Sequence, residues 1–262
     1  MASLYSNRGA KRAREARAEL GFDRAGPLPD LLTAVEERGR PHVLVLELPE
    51  GVAGAYVAKP DCPLLFVNGR QAVSRQRFTL AHEFGHYRMG HSSVVDEQAA
   101  ISGYVHDPRE VSANAFAAEF LMPRKAVSAW GRANVDGPVT LEHVVLLAYE
   151  YGVSAQAARY ALETAKVLTD RRRGRQLDDE IADDLHVELA RGLRLEPLQD
   201  ELADIAGRLP RIPSALAGSA LGDLLAARID AQELAARLGR DSDEVEAMLS
   251  EFGIDQLVLA AS

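Results

Sequence analysis

His82-Glu83-Phe84-Gly85-His86 lies within the run Arg77-Phe78-Thr79-Leu80-Ala81-His82-Glu83-Phe84-Gly85-His86-Tyr87-Arg88-Met89-Gly90, and its reading decides the fold. On an α-helix each residue advances about 100°, so histidines four apart lie one turn above the other and can grip one metal ion. Glu83 points between them on the same side, placed to take a proton from a water that the ion activates. A chance pair of surface histidines is the plain alternative. The flanks speak against it, because they predict a helix with Ser74 as N-cap and Gly90 as C-terminal stop, which puts both histidines mid-helix.

A hydrolytic zinc site needs a third protein ligand and an open fourth position. One class of zinc peptidase uses a histidine six residues beyond the second, with a glycine three residues beyond it. Here those places hold Ser92 and Met89, so that class is excluded. The better candidate opens a second helix, in Asp107-Pro108-Arg109-Glu110-Val111-Ser112-Ala113-Asn114-Ala115-Phe116-Ala117-Ala118-Glu119-Phe120-Leu121-Met122-Pro123. Asp107 caps it, Pro108 suits the first helical position, and Met122-Pro123 ends it. Glu110 then has two readings: third residue of a capping box begun by Asp107, or metal ligand on one face with Asn114. Ala113 and Ala117 on that face allow a close approach to the histidine helix. Glu119 falls on the far side, as a surface or interhelical charge. His91, Asp96 and His106 are further groups able to fill a fourth position, which would make the site structural rather than catalytic.

The blocks RFTLAHEFGHYRMGH (77–91) and ExxANxFAAEFLMP (110–123) resemble the ImmA/IrrE family of zinc metallopeptidases, bacterial proteins that cleave helix-turn-helix repressors and so release the genes those repressors silence. The resemblance spans roughly residues 10 to 165. It implies His82, His86 and Glu110 as zinc ligands, Glu83 as catalytic base, and Asn114 as a support behind the ligands. Many members carry a second glutamate where this chain has Ser112, a departure that touches a support position and no ligand.

Composition agrees with a soluble, cytoplasmic protein. The first 21 residues are charged and lack an apolar core, which reads as neither signal peptide nor anchor, and the longest apolar stretch, near 144–149, is far too short to span a bilayer. The lone Cys62 excludes an internal disulfide and a cysteine-rich zinc finger. With 262 residues, 47% of them hydrophobic, the chain can bury a substantial core.

Residues 10–20 and 28–38 read as amphipathic helices. Three β-prone runs follow at 42–48, 52–58 and 64–67, bounded by Pro49-Glu50-Gly51, Lys59-Pro60-Asp61 and Asn68-Gly69. The expected class is α+β, with a small N-terminal sheet on the histidine helix, zincin-like, and an all-helical C-terminal region. A sheet edge there would let an extended peptide add a strand. Tyr56, Tyr104 and His106 are the nearby side chains able to polarise a scissile carbonyl, each also suited to packing or a loop.

The expected divisions are a peptidase core at 1–130, a helix-turn-helix-like extension at 131–170 and an acidic helical domain at 171–262. In the extension, 140–151 and 155–168 flank the turn Gly152-Val153-Ser154. Arg159, Lys166 and the run Arg171-Arg172-Arg173-Gly174-Arg175 could meet phosphates, but the favoured reading is a structural hairpin ending in a basic linker. The second helix of the pair, rich in alanine, offers few side chains able to read base edges. Residues 170–262 hold 11 Arg and no Lys against 20 acidic residues, −9, which is the whole net charge. Such a surface suits a protein partner better than DNA. Residues 227–245 read as a helix, turn, helix segment with Leu234, Leu238, Val245 and Leu249 as core, and 208–222 as a loop.

The sequence therefore points to a zinc endopeptidase, manganese being a possible substitute, that acts on a helix-turn-helix repressor or antitoxin, with direct DNA binding and membrane association not expected. The rival is a non-proteolytic regulatory protein with a zinc site, binding a protein partner or DNA through its helical C-terminal region.

Overall fold

The computed structural model describes residues 2–195 except 24, 29, 49, 60, 61 and 98–106, together with 211, 216, 219–226 and 228–251. Tyr104, His106, the turn residues Pro49, Pro60 and Asp61, and most of the loop expected at 208–222 lie outside the described residues.

Helices α1 (Ala2–Glu19) and α2 (Leu31–Gly39) precede strands β1 (His42–Leu46), β2 (Val52–Val57) and β3 (Leu64–Asn68). Helix α3 (Val73–Met89), strand β4 (Val94–Glu97) and helix α4 (Pro108–Leu121) follow. The rest of the described chain forms α5 (Arg124–Asn134), α6 (Leu141–Tyr151), α7 (Ala155–Thr164), α8 (Arg171–Ala182), α9 (Leu185–Gly192), α10 (Ala220–Leu225), α11 (Ala231–Leu238) and α12 (Ser242–Glu251). The class is α+β, as the sequence predicts.

The strands order β1-β3-β2-β4, with β1 and β3 parallel and β2 antiparallel to both neighbours. Successive strand residues face opposite sides, and both sides are covered. Val43, Val45, Tyr56, Leu65 and Val67 join the core built around α3 and α4, while Leu44, Leu46, Ala55, Val57, Leu64 and Phe66 join a second core. Leu224, Leu225, Ile229, Leu234, Val245 and Leu249 fill that second core from the C-terminal helices. Two-sided burial is why β1 and β3 read as unbroken apolar runs rather than alternating ones. Leu238, expected in the core, is 47% exposed instead; it ends α11 beside the left-handed Gly239, where the chain turns away.

Helix α3 is central. Phe84 packs on Phe116 and Phe120 of α4 with ring centroids 5.9 and 5.6 Å apart, and Arg77 ties the helix start to the carbonyls of Gly152 (2.9 Å) and Leu28 (2.6 Å). Its cap is Ala72 rather than Ser74, which lies within the first turn. Gln76 supplies the tie that Ala72 lacks, donating to the carbonyls of Gly69 (3.2 Å) and Gln71 (2.7 Å). Gly90 closes the helix in the left-handed conformation, as expected.

Helix α1 holds α4 in place. Gly9 sits against the Ser112 carbonyl, where a Cβ would lie 2.0 Å from the oxygen. Ser112, buried under α1, turns its hydroxyl to the Arg109 carbonyl at 2.8 Å, so a small residue suits this position. The buried Arg17 guanidinium donates to the carbonyls of Phe120 (2.5 Å), Asp23 (2.6 Å) and Gly26 (2.5 Å), satisfying the C-terminal turn of α4. Arg14 pairs with Glu119 at 3.0 Å, which makes Glu119 an interhelical charge.

Helices α6 and α7 form the expected hairpin, and Leu147, Tyr151, Ala158 and Leu162 bury into the α3–α4 core. Arg159 is buried and paired with Glu163 (2.5 Å) and Asp178 (2.9 Å), so it does not face solvent phosphates. The basic run expected as a linker opens α8 instead: Asp170 caps it, Leu177 is buried, and Arg173 binds the Val139 carbonyl and Glu180. Among the described residues no helix is long and apolar enough to cross a membrane.

The α1–α4 contact gives a direct test. Alanine is worth about 1 kcal/mol over glycine in a helix interior, but at residue 9 that gain meets a backbone carbonyl that cannot swing aside. Gly9→Ala is expected to cost about 1–3 kcal/mol net of it, read as a Tm several degrees lower by calorimetry. Gly192→Ala, with nothing within 4 Å of the added Cβ, is expected to lose no Tm.

Candidate metal centre

Buried one turn apart on α3, with rings tilted 49° to each other, His82 and His86 bring their Nε2 atoms 3.1 Å apart. Glu110, in the first turn of α4, places Oε2 3.2 Å from His82 Nε2 and Oε1 3.5 Å from His86 Nε2. Asp107 spends its cap on the Arg109 amide at 2.8 Å, and the Glu110 carboxylate turns to the imidazoles. From β4, Asp96 brings Oδ2 to 3.3 Å from His82 Nε2 and 3.8 Å from His86 Nε2. One donor atom from each of the four lies within 4.8 Å of the others.

The outer ring nitrogens are committed elsewhere. Asn114 Oδ1 lies 2.9 Å from His82 Nδ1, so with the amide oxygen accepting, Nδ1 carries the proton and Nε2 presents a lone pair. His91 Nδ1 lies 3.0 Å from His86 Nδ1 and holds His86 from behind. Burial, then the neighbouring His86, Arg109 and Arg8, push the His91 pKa down to about 4, so at neutral pH it is uncharged and able to accept.

Those commitments leave lone pairs facing lone pairs. Asp96 Oδ2 and Glu110 Oε2 are buried without a hydrogen-bond partner, as are both oxygens of Glu83. A carboxylate desolvated in this way is costly unless a cation meets it. Burial opposes a charged His82, yet Asp96 and Glu110 outweigh burial and hold its pKa above the ordinary value. Burial likewise works to raise Glu110, but His82 and His86 hold it well below the usual carboxylate range. Ligand atoms of a tetrahedral zinc site, with bonds of 2.0–2.1 Å, lie about 3.3 Å apart; the 3.1 Å between the two nitrogens and the 3.2–3.8 Å from nitrogens to carboxylates are of that size, while the four donor atoms together spread to 4.8 Å. The donor set fits a divalent metal.

Glu83 is fully buried beside the four donors, with its pKa well above the ordinary value from burial first and then from the charges of Asp96 and Glu110. The sheet comes close to it because β2 carries glycine at residue 54. A Cβ there would lie 2.5 Å from Thr79 Cγ2, 2.6 Å from Glu83 Oε1 and 2.7 Å from the Phe66 carbonyl. Tyr56 packs edge-on against Tyr87 in the core, ring centroids 6.1 Å apart.

The structure thus brings together His82, Glu83, His86, Glu110 and Asn114, all singled out from sequence. Of the three candidates for a fourth donor, Asp96 reaches the cluster and His91 stands behind His86. No periodicity links Asp96 to the histidines; only the pairing of β4 with β2 brings it in.

Asn114→Ala would release His82 Nδ1, and metal affinity is expected to fall about 10–100-fold, measured by chelator competition. Asn114→Asp, which keeps the acceptor, is expected to retain most of it.

No curated protein matches the chain. Residues 39–163 match the family model Peptidase_M78, described as the IrrE N-terminal-like domain. That span runs from the end of α2 through α7 and includes every member of the donor cluster. Over residues 39–163 the chain thus carries a domain that matches the Peptidase_M78 (IrrE N-terminal-like) family model, consistent with the ImmA/IrrE resemblance of its two motif blocks.

Proposed function

We propose that the chain is a zinc-dependent endopeptidase of the cytoplasm, and that its substrate is a helix-turn-helix repressor or antitoxin. The observation that carries the catalytic reading is Glu83: a fully buried carboxylate with neither oxygen hydrogen-bonded, set against a cluster of metal donors. A metal site that only braces the fold has no use for such a group. The substrate class rests on the resemblance of the two motif blocks, and the cytoplasmic setting on composition.

His82, His86 and Glu110 would hold the ion, and Asn114 would fix the His82 tautomer. Bound there, a divalent ion supplies Lewis acidity toward a water and the scissile carbonyl. Glu83 accepts the proton of the attacking water on a carboxylate oxygen and delivers it to the leaving amine. Two imidazoles with carboxylates suit zinc, and manganese is the natural competitor for the oxygen donors. The outer edge of β4 pairs with no strand among the described residues, so an extended peptide can add there, next to the donors.

A second reading, a regulatory protein with a structural zinc, draws support from Asp96, because four protein donors close a tetrahedral site. One experiment separates the two: incubation of the zinc- or manganese-loaded protein with a helix-turn-helix repressor from the same genome, chosen from neighbouring genes, followed by intact mass. The wild type is expected to cut at one site. Glu83→Gln is expected to lose at least about 10²–10⁴-fold in rate with metal content unchanged, whereas His82→Ala and Glu110→Ala lose both. Full cleavage by Glu83→Gln would refute the role given to Glu83, and binding without cleavage under either metal would favour the regulatory reading.

A further inference from the structure

Asp96 is the donor that the hydrolytic reading does not use. It is 3% exposed, its Oδ2 has no hydrogen-bond partner, and that atom lies 3.3 and 3.8 Å from the two metal-facing imidazole nitrogens. Hydrolysis at a zinc centre needs three protein ligands and one exchangeable position. Here a fourth side chain stands at the cluster.

The fold places it there deliberately enough to trace. In the β2–β4 pairing Tyr56 faces Val94, Ala55 faces Val95, Gly54 faces Asp96 and Val52 faces Glu97. The irregularity between Val52 and Gly54 follows directly on Asp96. Side chains at alternate strand positions share a face, so Asp96 falls on the side of Val94, which packs on the α3 core, while Val95 packs on the opposite one. Gly54, directly across from Asp96, has no side chain to fill the space between strand and helix. Any side chain there would collide with Glu83 and Thr79.

From this geometry, and resting on the metallopeptidase reading above, we propose that Asp96 is a detachable fourth metal ligand. It closes the site at rest and leaves when a substrate strand engages β4. Three donors sit on helices: His82 and His86 on α3, with Glu110 on α4, which is clamped by α1. Asp96 alone rides on a four-residue strand that, among the described residues, lies at the sheet's edge. A strand paired on one side is held by fewer hydrogen bonds than a packed helix, so among the four it is the ligand whose release disturbs least. Its departure vacates the one position that water and the carbonyl oxygen need, and leaves Glu83 beside that position. With an ion held by His82, His86 and Glu110, Asp96 would yield its position to water, an exchange of ligands in which no covalent bond of the chain is made or broken.

The test uses the full chain and reads the metal directly. Asp96→Cys loaded with Co²⁺ is expected to show a thiolate-to-cobalt charge-transfer band absent from the wild type, whose own Cys62 serves as the control. Asp96→Asn and Asp96→Ala are expected to bind zinc at least about tenfold more weakly, the scale on which even outer partners of a metal site act. The same two variants should bind a small hydroxamate about tenfold more tightly, because the exchangeable position is open, with circular dichroism confirming the fold. Loss of zinc affinity without a gain for hydroxamate would make Asp96 a permanent ligand and overturn the latch. Absence of the cobalt band, with zinc affinity unchanged in all three variants, would remove Asp96 from the metal altogether. A wild type that binds no zinc would instead sink the metallopeptidase reading, and the latch with it.

Discussion

Everything in this protein is arranged around a small volume in which two imidazole lone pairs and two carboxylate oxygens point at one another. Like-charged and lone-pair groups buried together raise the free energy of the fold unless a cation lies among them. The remaining structure can be understood as what is needed to hold that arrangement closed against water. His82 and His86 are oriented from behind by Asn114 and His91, so neither ring can rotate to relieve the crowding.

The clamp that resists the crowding is helical. The aromatic contacts of Phe84 with Phe116 and Phe120 lock α3 to α4, and α1 then lies over α4 through a contact close enough to require glycine at residue 9. Arg17, buried on α1, donates to the Phe120 carbonyl at the far end of α4. Glu110 thus inherits its position from residues a hundred places earlier in the chain. The sheet completes the enclosure, and burying its second face under α10 to α12 links the acidic C-terminal segment to the strands that flank the site. Each large apolar side chain buried there contributes roughly 1.5–3 kcal/mol. The C-terminal helices therefore belong to the energetics of the strands that carry Gly54 and Asp96.

Local signals in the sequence were read well where they depend on neighbours in the chain. Asp107 with Pro108 marks the start of α4, Gly90 marks the end of α3, and Gly152 marks the hairpin turn, because each acts through backbone geometry within a few residues. Misplaced expectations share a cause. Ser74 was a better intrinsic cap than Ala72, yet Gln76 ties down the entry to α3 from inside the helix. The arginines of 171–175 resemble a solvated linker in composition, but Leu177 and the pairing of Arg173 draw them into a helix. Leu238 has the right spacing for a core position and lies just beyond the surface that α11 covers.

The sequence by itself determined that His82, Glu83 and His86 lie together, since helical periodicity brings residues four apart to one face without help from the rest of the molecule. It also pointed to Glu110 and Asn114, which share a face of their own helix at the same interval. Tertiary structure alone decided that Glu110 faces the imidazoles rather than its own helix cap, and that α1 covers Ser112. Tertiary structure alone also decided that Asp96 joins the imidazoles and Glu110 in one donor cluster. Strand register across β2 and β4, and the closeness of α1 to α4, are contacts between segments far apart in the chain. They are set by which faces can bury together, and no short-range spacing in the sequence encodes them.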